Sequence, residues 1–312
     1  MVEFSVRTRG VRKTFGTHTA VSDFDLEVPA GTIYGLLGPN GSGKTTMIRM
    51  IMGILLPDQG EIELFGTPPD FRSRSRIGYL PEERGVYEKM RVLDQLAFLG
   101  EIRGIERGVA RVRAGEWLER LGLGAWVDRK VEDLSKGMQQ KVQFIGTVLH
   151  DPDLMILDEP FSGLDPINQE VLESIVREEQ QRGKTILFST HLMEQAERLC
   201  ERVCLISNAK KVLDGDLRAL RRQERTGMVA LEFDGEDEWL DAPWIRHITP
   251  AGDAVHVTLE DGTEPSRLMA AALQAGVELR RFELVEPSLR EIFVRHAGAP
   301  PGDESASLGV AS

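Results

Sequence analysis

Residues 38–46 read GPNGSGKTT, and no other stretch limits the possible folds as strongly. Gly38, Gly41 and Gly43 can take positive φ without a Cβ clash, so consecutive backbone N–H groups can turn inward around an anion. Glycine, four residues, then Gly43, Lys44 and Thr45 make a phosphate cradle when a strand leads in and a helix leads out. Here TIYGLL precedes the loop, apolar and partly β-branched like a buried strand, and the helix-forming MIRMIMGILL follows it. The helix adds its positive N-terminal end. Lys44 is expected to reach the β- and γ-phosphates of a nucleotide and the Thr45 hydroxyl to ligate Mg²⁺. Pro39, Asn40, Ser42 and Thr46 complete the contacting loop.

A second constraint lies about a hundred residues on, in DLMILDEP at 153–160. Four apolar residues ending in Asp158 and Glu159 describe a buried strand that delivers two carboxylates at its C-terminal end, where α/β sheets place ligands. Asp158 can hold Mg²⁺ directly or through water, and Glu159 can polarise the water that attacks a γ-phosphate. FSGLDP follows, with Asp165 in a turn before a helix expected over 167–181. TILFSTH then gives another buried strand ending in His191, a residue that is either structural or a hydrogen-bond donor to a γ-phosphate. RIGYLPEE is a strand that ends at Pro81 and releases Glu82 and Glu83 into a loop, as a solvated pair or as carboxylates facing a metal or a partner. Phe15 lies in a turn-like segment, KTFGTH, as core or as a platform for a base.

Between these strands, residues 86–150 are helical in pattern: Val92, Leu93, Leu96, Leu99 and Ile102 recur at helix spacing, as do Val109, Val112, Trp117, Leu118 and Leu121. The last helix of this insertion begins at LSKGM, with Ser135 as N-cap and the amides after it available to an anion. At 218–226, RALRRQERT raises the charge density and marks a linker or connecting helix. MVALEF, AVHVTL and ELRRFELV then alternate like half-buried strands, PSRLMAAALQAG is a helix, and PSLREIFVRH closes the unit. The chain thus divides into an α/β domain at 1–220, a small α+β domain at 221–297 and a tail at 298–312 too polar to pack.

Composition narrows the function. The chain has 312 residues, 41% hydrophobic and 28% charged, and its longest apolar run, near 50–57, falls short of the ~18 residues of a spanning helix. MVEFSVRTRG lacks an apolar signal, which gives a cytoplasmic expectation. Cys200 and Cys204 offer neither a disulfide framework nor a zinc spacing and are expected to be packing thiols. A net charge of -12 argues against a broad nucleic-acid interface.

Over residues 1–220, the order and spacing of these motifs resemble the ATP-binding subunits of ABC transporters. The resemblance implies a P-loop NTPase core with an antiparallel β subdomain and a helical insertion. It makes residues 38–46 the Walker A loop, the Asp158–Glu159 strand Walker B, SGLD at 162–165 the D-loop and His191 the switch histidine. LSKGM stands where the signature LSGGQ belongs, with Ser135 and Gly137 kept for the phosphate contacts, and Phe15 stands at the base-stacking aromatic. The C-terminal unit, ending in EPSLREIF, is similar to the appendage of sodium-export-type ATP-binding subunits. What the resemblance implies is a head-to-tail dimer, of like chains or with a related ATPase, in which Ser135 of one subunit faces the phosphate loop of the other. ATP and Mg²⁺ would be bound, and the motion would drive separate integral membrane subunits, in export, from the inner face of the membrane.

Two positions depart from the family pattern. Lys136 and Met138 replace a glycine and a glutamine of the signature. Glu82 stands where many relatives have the Q-loop glutamine, so a carboxylate supplies the oxygen there and adds negative charge beside the triphosphate. The rival reading is a soluble ABC ATPase acting as a nucleotide-gated switch outside transport, with translation or DNA as its target. The chain has neither paired ATPase units nor a long coiled-coil insertion, and it is acidic.

Overall fold

The computed structural model describes residues 3–83, 85–225, 227–252 and 254–297, and the tail expected at 298–312 lies outside them. The chain separates into two compact units after Asp216. The helix Leu217–Gln223 therefore goes with the second unit, ahead of the expected limit at 220. Its end is tied there: Arg295 and His296 of the last helix, Leu289–Ala297, both bond to Glu224.

The first unit is built on a six-stranded sheet in the order Ile77–Leu80, Leu154–Asp158, Thr185–Thr190, Ile33–Leu37, Arg202–Ser207, Lys210–Asp216. The first five strands are parallel, and the last pairs antiparallel to its neighbour. The three central strands, LMILD, TILFST and IYGLL, are buried along their whole length. That explains their unbroken apolar runs, since both faces of a parallel sheet are covered. A three-stranded antiparallel sheet, His18–Pro29, Phe4–Phe15, Gln59–Leu64, lies alongside. The helix Lys44–Ile51 fills the space between, its Met47, Ile48, Met50 and Ile51 packing with Val6, Phe24 and Leu26 on one side and Ile156 and Leu187 on the other. Burying each such side chain contributes about 1.5–3 kcal/mol, so the helix that follows the phosphate loop is anchored by the core itself.

Strand Phe4–Phe15 runs on through Gly10, which sits at a bulge with φ 56. Phe15 is consequently the last strand residue, with the turn beginning at Gly16. The insertion forms helices Val92–Ile102, Arg107–Arg120 and Lys136–Val148. Cys200 and Cys204 are buried thiols, as expected. The helix Met193–Leu199, seven residues long, gave no readable period.

The second unit is a four-stranded antiparallel sheet in the order Ile245–Ala251, Ala254–Leu259, Met228–Asp234, Glu278–Leu284. Val229, Leu231, Val257, Leu259 and Leu268 of the helix Pro265–Ala275 form its core. Ile245–Ala251 escaped the sequence reading because it is an exposed edge strand carrying Pro250, which only an edge tolerates.

Two loop glycines are required by packing as well as by φ. At Gly43, with φ 113, a Cβ would fall 2.3 Å from the Ala20 carbonyl oxygen, and at Gly38 2.2 Å from that of Ile206. Gly41, with φ 78, faces open space. Urea unfolding should therefore separate them: Gly41→Ala costs about 1–2 kcal/mol, the left-handed penalty alone. Gly43→Ala costs about 3 kcal/mol or more, because backbone must also move. Equal costs would mean the loop is free of its neighbours.

Candidate functional site

Four adjacent parallel strands end on one edge of the sheet, and each hands a functional segment to the same place. Ile33–Leu37 leads into the glycine loop, Leu154–Asp158 into Glu159, Thr185–Thr190 into His191, and Ile77–Leu80 into Glu82. A cleft of about 500 Å³ opens there, lined by Phe15, Asn40, Gly41, Gly43, Lys44, Thr45, Thr46, Glu82, Asp158 and Glu159, with His18 and Ala20. Gly38, Pro39 and Ser42 form the back of the loop, where Ser42 N–H donates to the Pro39 carbonyl at 3.2 Å.

Lys44 is buried, and its ammonium donates to the carbonyls of Gly38 at 2.7 Å and Pro39 at 3.1 Å. Burial lowers its pKa, opposed by the carboxylates of Glu159, Asp158 and Glu82. Asp158 is only 1% exposed, and one oxygen accepts from the Ser189 hydroxyl. Its other oxygen, Oδ2, is buried without a partner among the described residues. Burial raises the Asp158 pKa, while the Ser189 and Thr45 hydroxyls and Lys44 hold it down and Glu159 pushes it up. A buried cation and a buried carboxylate, each shifted toward its neutral form by loss of solvent, are groups whose charged forms an anion and a cation, respectively, would stabilise. The unpartnered Oδ2, the Thr45 hydroxyl and the Glu82 carboxylate are hard oxygen donors of the kind Mg²⁺ takes, so the residues present fit that ion.

Glu159 has φ 48, a left-handed conformation costing a non-glycine residue about 1–3 kcal/mol. Its backbone N–H donates to the Ser189 carbonyl at 3.1 Å. The strained turn brings the carboxylate to the next strand end, where Oε1 accepts from His191 N–H at 3.0 Å and pairs with His191 Nδ1 at 2.7 Å, and Oε2 accepts from the Thr190 hydroxyl at 3.2 Å. Nδ1–H toward the carboxylate leaves His191 Nε2 for another partner, and the ring is 45% exposed. Ser189, Thr190 and Gln195, whose Oε1 lies 2.9 Å from the Thr190 hydroxyl and competes with Glu159 for its one hydrogen, were missed in the sequence. The readable signal was the pair of hydroxyls ending TILFST, which the register sets beside Asp158.

Ser135, Gly137 and Asp165 lie elsewhere on the chain's surface, outside this cleft. Ser135 caps the helix Lys136–Val148, its hydroxyl accepting from Met138 N–H at 3.3 Å. Asp165 caps Pro166–Gln181 through Asn168 N–H at 3.0 Å, a bond that lowers its pKa. The two caps neighbour each other, since a Cβ on Gly137 would lie 3.3 Å from the Gly163 carbonyl oxygen. Phe15, 48% exposed at the mouth of the cleft, has Lys13 Nζ 5.6 Å from its ring centre.

Comparison with known proteins gives the family. Residues 21–162 match the ABC transporter family, and residues 215–297 match the C-terminal domain of DrrA1-3-like ATP-binding proteins. The ABC transporter ATP-binding protein YhaQ of Bacillus subtilis is 44% identical over 290 residues, covering 93% of this chain and 97% of YhaQ. Nod factor export ATP-binding protein I of a Rhizobium species is 32% identical over 305 residues, 96% of this chain and 98% of that protein. The daunorubicin/doxorubicin resistance ATP-binding protein DrrA of Streptomyces peucetius is 31% identical, covering 96% and 94%. A solved ATP-binding subunit of an ABC transporter superposes with TM-score 0.65 at 29% identity, over 70% of this chain and 92% of that one. Identity running through both units, on a P-loop NTPase core, makes this protein a member of the ABC transporter ATP-binding subunits, an ATP-binding and ATP-hydrolysing chain.

Proposed function

We propose that this chain supplies the power for export through separate integral membrane subunits, working as a head-to-tail dimer at the cytoplasmic face of the membrane with Mg²⁺ATP as fuel. The observation that carries the reading is the buried pair of Lys44 and Asp158 with Glu159 held beside them. Relatives named for Nod factor export and for drug resistance support the direction of transport. None of the helices among the described residues is long and apolar enough to cross a membrane, so a pathway would belong to other subunits.

In this reading Lys44 and the loop amides hold the β- and γ-phosphates, and Phe15 stacks on the base. Thr45, Asp158 and Glu82 hold the metal, which supplies charge neutralisation of the triphosphate. Glu159 orients and deprotonates the attacking water, and His191 Nε2 bonds the γ-phosphate. Ser135, Gly137 and Asp165 complete the site of the partner subunit. Two experiments test this. The tagged chain should co-purify from membranes with polytopic subunits, and those subunits should stimulate its ATPase; a chain recovered only with soluble partners points to a switch outside transport.

Glu82 gives the sharper test. Its charge is attracted by the metal and opposed by the γ-phosphate, so Glu82→Gln should leave nucleotide affinity nearly unchanged. Glu82→Ala, which removes the oxygen too, should raise the Mg²⁺ needed for half-maximal ATPase about three- to tenfold. Superimposable Mg²⁺ titrations for Glu82→Ala and wild type would remove Glu82 from the site.

A further inference from the structure

The segment that carries Glu82 leaves the strand Ile77–Leu80 and enters the helix Val92–Ile102. Two buried glutamines grip its backbone. Gln143, on the helix Lys136–Val148, donates from Nε2 to the carbonyls of Pro81 and Glu83, both at 3.2 Å, one on each side of Glu82. Gln95, on the helix Val92–Ile102, accepts from the Tyr87 N–H through Oε1 at 2.7 Å. The partners settle which end of each amide points where: only an NH₂ can donate to two carbonyls, and only an oxygen can accept from an N–H.

Packing does not account for either residue. Gln95 is 0% exposed and Gln143 8%, in helix positions where leucine or methionine would fill the same space. Each amide leaves its second atom, Gln95 Nε2 and Gln143 Oε1, buried without a partner among the described residues. A glutamine retained with half its capacity unmet makes sense when the other half is needed. The helix Lys136–Val148 repeats the device along one face. Gln140 Nε2 donates to the Pro160 carbonyl at 2.9 Å, just past Glu159, and the Thr147 hydroxyl shares its one hydrogen between the Gln143 carbonyl at 3.1 Å and the Tyr79 carbonyl at 3.3 Å. Positions 140, 143 and 147 share one face of a helix, so the helix that begins at Ser135 holds the backbone beside Glu82 and Glu159, two of the three carboxylates of the cleft.

We propose that Gln95 and Gln143 are positioning residues that tie the backbone flanking Glu82 to the helical insertion, so that the place of Glu82 at the nucleotide cleft follows those helices. The proposal rests on the reading of Glu82 as part of the nucleotide site. It gives the two glutamines opposite responses to one isosteric change. Gln95→Glu keeps an oxygen for the Tyr87 N–H and should preserve the tie, whereas Gln143→Glu turns an acceptor on two carbonyls and should break it. Gln95→Met and Gln143→Met, which keep bulk and lose the bond, should both break it.

Hydrogen exchange and steady-state ATPase on the full chain, with thermal melts to confirm folding, test this. Tyr87 amide exchange in the nucleotide-free chain should rise about tenfold in Gln95→Met and stay near wild type in Gln95→Glu. Gln143→Met and Gln143→Glu should lower kcat about tenfold while KM for ATP stays within about twofold, since the Lys44 loop is untouched. Gln143→Met should add nothing further in a Glu82→Ala background. Equal responses to the two Glu substitutions, or Tyr87 exchange unmoved by Gln95→Met, overturn the proposal. If Glu82→Ala alone leaves the ATPase unchanged, the reading of Glu82 fails, and Tyr87 exchange then decides whether the tie exists.

Discussion

Glu159→Gln should bind ATP at wild-type affinity and lose hydrolysis by about two to four orders of magnitude, the usual contribution of a positioned general base. The local bonding explains why binding survives. The Thr190 hydroxyl has one hydrogen and faces both Glu159 Oε2 and Gln195 Oε1, while accepting from Leu192 N–H at 3.1 Å. An amide nitrogen at the Oε2 position donates to the Thr190 oxygen and frees its hydrogen for Gln195. The amide oxygen still accepts from His191 N–H, so the left-handed turn at Glu159 keeps its tethers. What is lost is the proton acceptor. An ATP-bound dimer should accumulate and be visible by size-exclusion chromatography with ATP. Wild-type turnover by this variant would show that another group activates the water.

Much of this site was legible because its residues sit at the ends of apolar runs. The loop at 38–46, Asp158, Glu159 and His191 each follow a strand that both faces of the sheet bury, and burial writes itself into the sequence as an unbroken apolar stretch. The supports of these residues were not legible, because they depend on which strands become neighbours. Ser189 serves Asp158 only through the register of two strands joined by a sixteen-residue helix, Pro166–Gln181, and its connections. Gly38 is required by the Ile206 carbonyl, far along the chain. Gln143, a polar residue that drew no reading from the sequence, is buried and bonded to a loop some sixty residues earlier. The positive φ at Glu159 leaves no compositional mark, since glycine is the usual signal for such a turn and here a carboxylate bears the strain. The edge strand Ile245–Ala251 is exposed on most of its length, so no alternation revealed it.

Ser135→Arg should abolish ATPase activity while the chain still binds ATP, because Ser135 lies outside the cleft that holds Lys44. Its exposed position can take a long side chain, and the lost cap costs only about 1 kcal/mol of helix stability. If a partner's triphosphate docks on the N-terminal end of Lys136–Val148, a guanidinium there blocks the approach of the two subunits. Lys44→Ala should fail for the other reason, by losing the buried ammonium that the proposed function sets against the phosphates. Mixing the two inactive chains then separates a composite site from a self-contained one. A heterodimer joins Lys44 of one chain to Ser135 of the other in one intact site, and gathers both defects in the second. With half the dimers mixed and one site in two competent, activity should return to about a quarter of wild type. The mixture should stay inactive if each chain hydrolyses ATP alone, and wild-type specific activity would then be independent of dilution. Differently tagged chains, co-purified with ATP to verify the heterodimer, make silence in the mixture a refutation of the shared site.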